Sequence, residues 1–142
     1  MKNINILLVE DNDGDILLTR EALEEEDNSI KLNIVQDGEA AIDFINKSGK
    51  YKESEKPDFI ILDINLPKLN GHEVLKYLKS EEEFRSIPVI ILTTSSAKKD
   101  VVSAYNNFVN SYVIKSGDYE DYLIAIKDIL RYWTKTVILP NN

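Results

Sequence analysis

The sequence predicts an α/β fold, a doubly wound parallel sheet with helices on both faces. Three observations carry that prediction. Short apolar runs such as Phe59-Ile60-Ile61-Leu62 are bounded by polar or turn residues, the pattern of strands buried on both sides. Segments with apolar residues at helical spacing separate these runs, so that strand and helix alternate five times. Several runs also end abruptly in a charged or hydroxyl side chain, which belongs at the rim of a sheet rather than inside it. Right-handed crossovers make the doubly wound arrangement the natural solution. In such sheets ligands sit beyond the carboxyl ends of the strands, near the switch in strand order.

Taken in order, Ile4–Val9 reads as the first strand and ends in Glu10-Asp11. Asn12-Asp13-Gly14-Asp15 is rich in turn and cap residues and opens a helix from about Asp13 to Asp27, with Ile16, Leu18, Ala22 and Leu23 at helical spacing and Glu24-Glu25-Glu26 as its solvated end. Lys31–Gln36 alternates Leu32 and Ile34 with polar residues, as an outer strand would. A second helix follows Gly38, with Ala41, Ile42 and Ile45 on one face, and Ser48–Lys56 reads as a polar surface loop. Pro57 precedes the strand that ends in Asp63. Asn70 is placed to cap a third helix carrying Val74, Leu75 and Leu78. Pro88 starts the strand Val89–Leu92, where its missing N–H is tolerated. Val101, Tyr105 and Phe108 suggest a fourth helix, weakened by Asn106-Asn107. Ser111–Ile114 is a short strand ending in Lys115, and the last helix carries Leu123, Ile126, Leu130 and Trp133.

Composition narrows the function. The chain has 142 residues, enough for one domain with its own core, and a formal charge of −8 from 25 acids and 17 bases. That acidic balance argues against general nucleic-acid binding, which needs clustered Lys and Arg. There are no cysteines, which removes disulfides, thiolate metal sites and cysteine nucleophiles, and a single histidine cannot build a histidine metal site. No basic region followed by a long apolar stretch opens the chain, and no segment approaches the roughly 20 apolar residues that span a bilayer. The expectation is a soluble cytoplasmic protein without nucleic-acid or membrane partners.

The strand ends form one constellation. Glu10 and Asp11 follow the first strand, Asp63 the third, Thr93 the fourth and Lys115 the fifth, so all five can face one crevice. A single polar strand end is commonplace; three acids, a hydroxyl and an amine at four ends are not. Three carboxylates at one rim repel each other unless a cation intervenes. Magnesium relieves this with one or two carboxylates and phosphate oxygens as ligands. An aspartate can attack phosphorus and form an acyl phosphate, and the transferring group needs cationic and hydroxyl partners. The parts fit phosphoryl transfer to Asp63, with Lys115 and Thr93 assisting.

These pieces together resemble a response-regulator receiver domain over essentially residues 3–133. The matching stretches are Leu7-Leu8-Val9-Glu10-Asp11, Asp63-Ile64-Asn65-Leu66-Pro67-Lys68-Leu69-Asn70-Gly71, Pro88-Val89-Ile90-Ile91-Leu92-Thr93 and Tyr112-Val113-Ile114-Lys115. The resemblance implies a flavodoxin-like three-layer sandwich with strand order 2-1-3-4-5, and phosphorylation of Asp63 by a histidine kinase. It implies Mg²⁺ ligation by Asp11, Asp63 and the carbonyl of Asn65, supported by Glu10. It makes Lys115 the phosphate-binding lysine, Thr93 the switch hydroxyl and Tyr112 the aromatic that changes rotamer. One departure stands out. Ser116 follows Lys115 where the family usually has a proline joined by a cis bond, and cis before a non-proline is costly, so this loop is expected to be trans and differently shaped.

The segment Arg131–Pro140, with the long loop before Pro57, is similar to single-domain receivers that partner phytochrome-type histidine kinases. On this reading residues 1–133 are the receiver and 134–142 a tail. Tyr132, Trp133, Ile138 and Leu139 follow the stripe that closes the core and would leave an exposed apolar patch, the signature of an interface. The expectation is a homodimer, with folding of the tail over its own domain as the rival. His72 reads as a solvated helix-start residue. Output through contact with a downstream protein is expected, with no enzyme activity beyond the chain's own phosphate chemistry. An aspartyl-nucleophile phosphatase is disfavoured because Asn65 stands where those enzymes resemble a second Asp. A flavin module lacks its Ser/Thr/Gly-rich phosphate loop, and a phosphate-free scaffold would not need the intact set.

Overall fold

The computed structural model describes residues 3–27 and 29–140. Among them, five strands, β1 (Asn5–Val9), β2 (Lys31–Val35), β3 (Phe59–Leu62), β4 (Val89–Thr93) and β5 (Ser111–Ile114), form one parallel sheet of order β2-β1-β3-β4-β5. Helices α1 (Asp13–Glu26), α2 (Gly38–Ile45), α3 (Gly71–Ser80), α4 (Lys98–Asn106) and α5 (Tyr119–Arg131) connect and follow them. The loop after α2 contains a single 3₁₀ turn, Gly49–Tyr51.

The three central strands are buried along their whole length, because helices cover both faces and consecutive side chains point to opposite ones. Leu7, Val9, Ile60, Leu62 and Ile91 meet α2 and α3 on one face. Ile6, Leu8, Phe59, Ile61 and Ile90 meet α1 and α5 on the other. Edge strands β2 and β5 are only partly covered, which is why β2 reads as alternating.

Four helices are fixed at their starts by side-chain caps: Asn12, Asp37, Asn70 and Asp118 each accept an N–H from three residues further on. Asn70 completes a capping box with Glu73. Helix α4 differs. Ala97 gives it no side-chain cap, and only Ala104 is buried. The expected apolar face of α4 is therefore corrected: Tyr105 is exposed, and Phe108 lies beyond the helix in the left-handed region at φ 65°, three-quarters exposed.

Other faces are shifted from expectation. Helix α1 buries Ile16, Thr19, Ala22 and Leu23, with Leu18 at the margin, and α2 buries Ala41, Phe44 and Ile45, with Ile42 only partly covered. Helix α5 buries Tyr122, Ile126, Ile129 and Leu130 while Leu123 is partly covered.

The carboxyl-terminal segment carries the largest correction. After α5 the chain makes a wide π turn, Tyr132–Thr136, closed by the Val137 N–H donating to Tyr132 O at 3.1 Å. Leu139 then docks into the α1/α5 core and is only 2 % exposed, and Val137 packs beside it. The Trp133 ring lies 6.2 Å from that of Phe59. Leu139 is thus a core residue of its own chain, not an interface residue, and Trp133 is partly spent on the core. Tyr132 and Ile138 remain exposed. The boundary expected after residue 133 does not separate the segment from the core, because its apolar residues complete the layer over Phe59.

Candidate functional site

The sheet register brings the predicted residues together. Val9 pairs with Leu62, and the Asp63 N–H continues that ladder by donating to Val9 O at 3.1 Å. The Glu10 N–H donates to Val35 O at 3.0 Å on the other side of β1. Thr93 pairs with Ile114, and the Lys115 N–H donates back to Thr93 O at 2.6 Å. Glu10, Asp63 and Lys115 are therefore the first residues past the ends of β1, β3 and β5, on one rim. Gly71 is required behind Asp63: a Cβ there would stand 2.2 Å from Asp63 O.

Lys115 is the hub. Its Nζ donates to Glu10 Oε1 at 2.5 Å, Asp15 Oδ2 at 2.9 Å and Asp63 Oδ2 at 3.0 Å, which occupies all three ammonium protons. The Lys115 side chain is 4 % exposed. Burial alone would push it down, but the Glu10 and Asp15 carboxylates outweigh burial and hold it above the ordinary lysine range. Burial pushes the Glu10 carboxyl up to about 7 against the hydrogen bond from Lys115, and the Asp63 charge adds to the rise. One cation thus faces several carboxyl groups. Oxygens of Glu10, Asp11 and Asp63 lie within 4.8 Å of one another, and Asp11 is exposed. This set of hard oxygen donors, open on the Asp11 side, fits a divalent cation.

Asn65 sits beside it. Its N–H donates to Asp63 Oδ1 at 3.3 Å, and with Asp11, Asn70, His72 and Lys99 it lines an open cleft next to the carboxylates. The Lys115–Ser116 bond is trans, as the missing proline suggested.

Thr93 is fully buried, with its Oγ1 accepting from the Ser95 N–H at 3.4 Å. From there a chain of contacts runs outward. The Tyr112 hydroxyl donates to Ser95 O at 2.8 Å, the Ser95 hydroxyl to Asp100 Oδ2 at 2.5 Å, and His72 Nε2 lies 3.0 Å from Asp100 Oδ1. The β4–α4 loop is thereby tied to β5, α3 and α4. His72 is only one-fifth exposed, which corrects its reading as solvated.

Sequence reasoning missed three participants. Asp15 lies in the first turn of α1, which starts directly after the rim residues Glu10 and Asp11. Asp100 joins the Ser95 hydroxyl, five residues away, to His72, 28 away, and no sequence motif marks that link. Tyr122 of α5 buries a hydroxyl that has no hydrogen-bond partner among the described residues and lies within reach of the Lys115 and Asp15 charges.

An open parallel sheet with a carboxylate cluster and a buried lysine at its carboxyl rim defines an α/β protein built to handle a cation and an anion together. Residues 6–127 match the response regulator receiver domain, and the chain belongs to that family. It is 41 % identical over 135 residues to the response regulator Rcp1 of Synechocystis, covering 95 % of this chain and 92 % of that protein. The fold matches the phosphorylated cyanobacterial phytochrome response regulator RcpA at a TM-score of 0.95 and 37 % identity, over 98 % and 99 % of the two chains. The Mn²⁺-bound form of Rcp1 matches at 0.94 and 40 %, over 96 % and 99 %.

Proposed function

We propose that this protein is a stand-alone phosphoryl switch in which Asp63 accepts phosphate from a histidine kinase. The observation that carries the reading is Lys115 Nζ 3.0 Å from Asp63 Oδ2 with Glu10 and Asp11 beside it. An Asp63 oxygen attacks the phosphorus of a kinase phosphohistidine. The new O–P bond forms as the N–P bond breaks, and its electron pair leaves with the imidazole. Hydrolysis later returns the carboxylate and inorganic phosphate. Asp11, Asp63 and the Asn65 carbonyl would hold Mg²⁺, with Glu10 in support, and the metal supplies charge neutralisation of the phosphoryl oxygens. Lys115 supplies a fixed cation and Thr93 a hydroxyl. No other enzyme activity is assigned to the chain.

The partner is a sensor kinase of phytochrome type, a reading supported by the likeness to RcpA and Rcp1 over nearly their full length. Phosphate at Asp63 draws the hydroxyl of the already buried Thr93 away from the Ser95 N–H and toward the phosphoryl oxygens, and Tyr112 exchanges its bond to Ser95 for a buried rotamer, which remodels the weakly anchored α4. Output is a protein contact in the cytoplasm. Exposed Val102, Tyr105 and Ile114 on α4 and β5, and exposed Tyr132 and Ile138 after α5, support self-association as a homodimer. The test of the core reading is intact mass after incubation with acetyl phosphate. One phosphoryl group should appear with Mg²⁺ and none without it; labelling that is indifferent to Mg²⁺ contradicts the metal assignment.

A further inference from the structure

We propose that Asp15 is a positioning residue for phosphoryl transfer, the fixed anchor that keeps the Lys115 ammonium aimed at the phosphoryl site throughout the reaction. This rests on Asp63 being the phosphoacceptor.

The backbone fixes where Lys115 starts, its N–H donating to Thr93 O at 2.6 Å, but not where its long, flexible side chain ends. The direction of the side chain therefore comes from the groups its ammonium binds: Glu10, Asp15 and Asp63. Two of these change during the reaction. Asp63 becomes the acyl phosphate and gives up a carboxylate oxygen. Glu10 belongs to the oxygen cluster that fits a cation, so its charge is shared once a metal arrives. Asp15 belongs to neither role and lies outside that cluster.

Asp15 is also well held. Its N–H is capped by Asn12 Oδ1 at 2.9 Å, and its carbonyl accepts from the buried Thr19 hydroxyl at 2.9 Å. It sits in the first turn of α1, which packs along α5. Its side chain is 24 % exposed, so replacing it opens no cavity in the core. The charge of Asp15 by itself disfavours an incoming phosphoryl group. Lys115 stands between the two, however, and a charge-assisted hydrogen bond to a buried amine is among the stronger side-chain contacts. Positioning and repulsion thus predict opposite signs for removing Asp15, and the geometry points to positioning.

The experiment measures phosphorylation by acetyl phosphate in saturating Mg²⁺, with the Mg²⁺ dissociation constant measured in parallel by calorimetry. Asp15→Ala should slow phosphorylation by at least ~10-fold, the loss expected for one hydrogen bond to a charged group. Its own Mg²⁺ dissociation constant sets the saturating concentration, so a change in metal affinity does not enter the compared rates. Asp15→Asn keeps an acceptor oxygen and should recover most of the rate. In a Lys115→Ala background, Asp15→Ala should change the rate by less than about twofold, since the two residues act as one unit. A parent that labels while Asp15→Ala labels equally fast or faster overturns the proposal alone. So does an equal slowing in the Lys115→Ala background, which would mark a general defect of α1. A parent that takes up no phosphate overturns the Asp63 reading and this one with it.

Discussion

At the scale of single residues, the site separates what strand ends announce from what only folding reveals. Glu10, Asp11, Asp63, Thr93 and Lys115 were legible because a buried apolar run that stops at a polar group can place it only at the rim. Asp15 and Asp100 were not: Lys115 lies 100 residues from Asp15, and Asp100 joins Ser95, five residues away, to His72, 28 away. Asp100 yields a pH prediction. The Ser95 hydroxyl, and after it His72, hold its carboxyl below the ordinary aspartate range near 3.8. A carboxyl lowered in the folded state adds stability above its unfolded pKa and loses it as pH falls through the folded value. Urea unfolding of the parent should therefore weaken more steeply below about pH 4 than that of Asp100→Asn, in which this contribution is absent at every pH. Parallel curves for the two proteins would show that the Ser95–Asp100–His72 contacts do not persist in solution.

At the scale of elements, the fold was more legible than the faces of its helices. Strand positions follow from unbroken apolar runs, and Asn70 announces α3. Helix faces depend on how each helix rotates against the sheet, which is why helical spacing points to Leu123 while the fold buries Ile129 and Tyr122 of α5. The tail is the clearest case. Its apolar residues look surplus in the sequence, because the number needed to cover β3 depends on Phe59 being still open to Trp133 and Leu139. Arg131 grips Glu26 through Nε at 2.9 Å and Nη2 at 2.8 Å, and Thr134 donates to Leu130 O at 2.6 Å, so the segment leaves α5 in a defined direction. Leu139→Ala should thus lower the unfolding free energy by roughly 2 kcal/mol, the low end for a buried leucine near a chain end. The measurement is urea unfolding at a protein concentration low enough for the monomer. An unchanged midpoint would return the tail to a purely intermolecular role.

At the scale of the whole molecule, the parallel sheet sets three things at one end: an acidic cluster, a lysine that ties it to α1 and β5, and a hydroxyl chain leading to the uncapped α4. Stable elements hold the chemistry, and the least anchored helix lies where a signal would leave. The exposed residues of α4 and β5 with Tyr132 and Ile138 predict a homodimer that Ile138→Asp weakens. Sedimentation over roughly 1–100 µM, the range in which a modest interface associates, should show the parent shifting toward dimer and the variant lagging behind it. Identical monomers for both would remove this face as an interface. The most direct test of the central claim is chemical. An acyl phosphate on aspartate is reduced by borohydride to homoserine, whereas a free carboxylate or a phosphorylated hydroxyl is not. After acetyl phosphate and Mg²⁺, reduction followed by peptide sequencing should place homoserine at position 63. Homoserine at Asp11 or Asp15 instead, or its absence from a protein whose mass shows bound phosphate, would contradict the account.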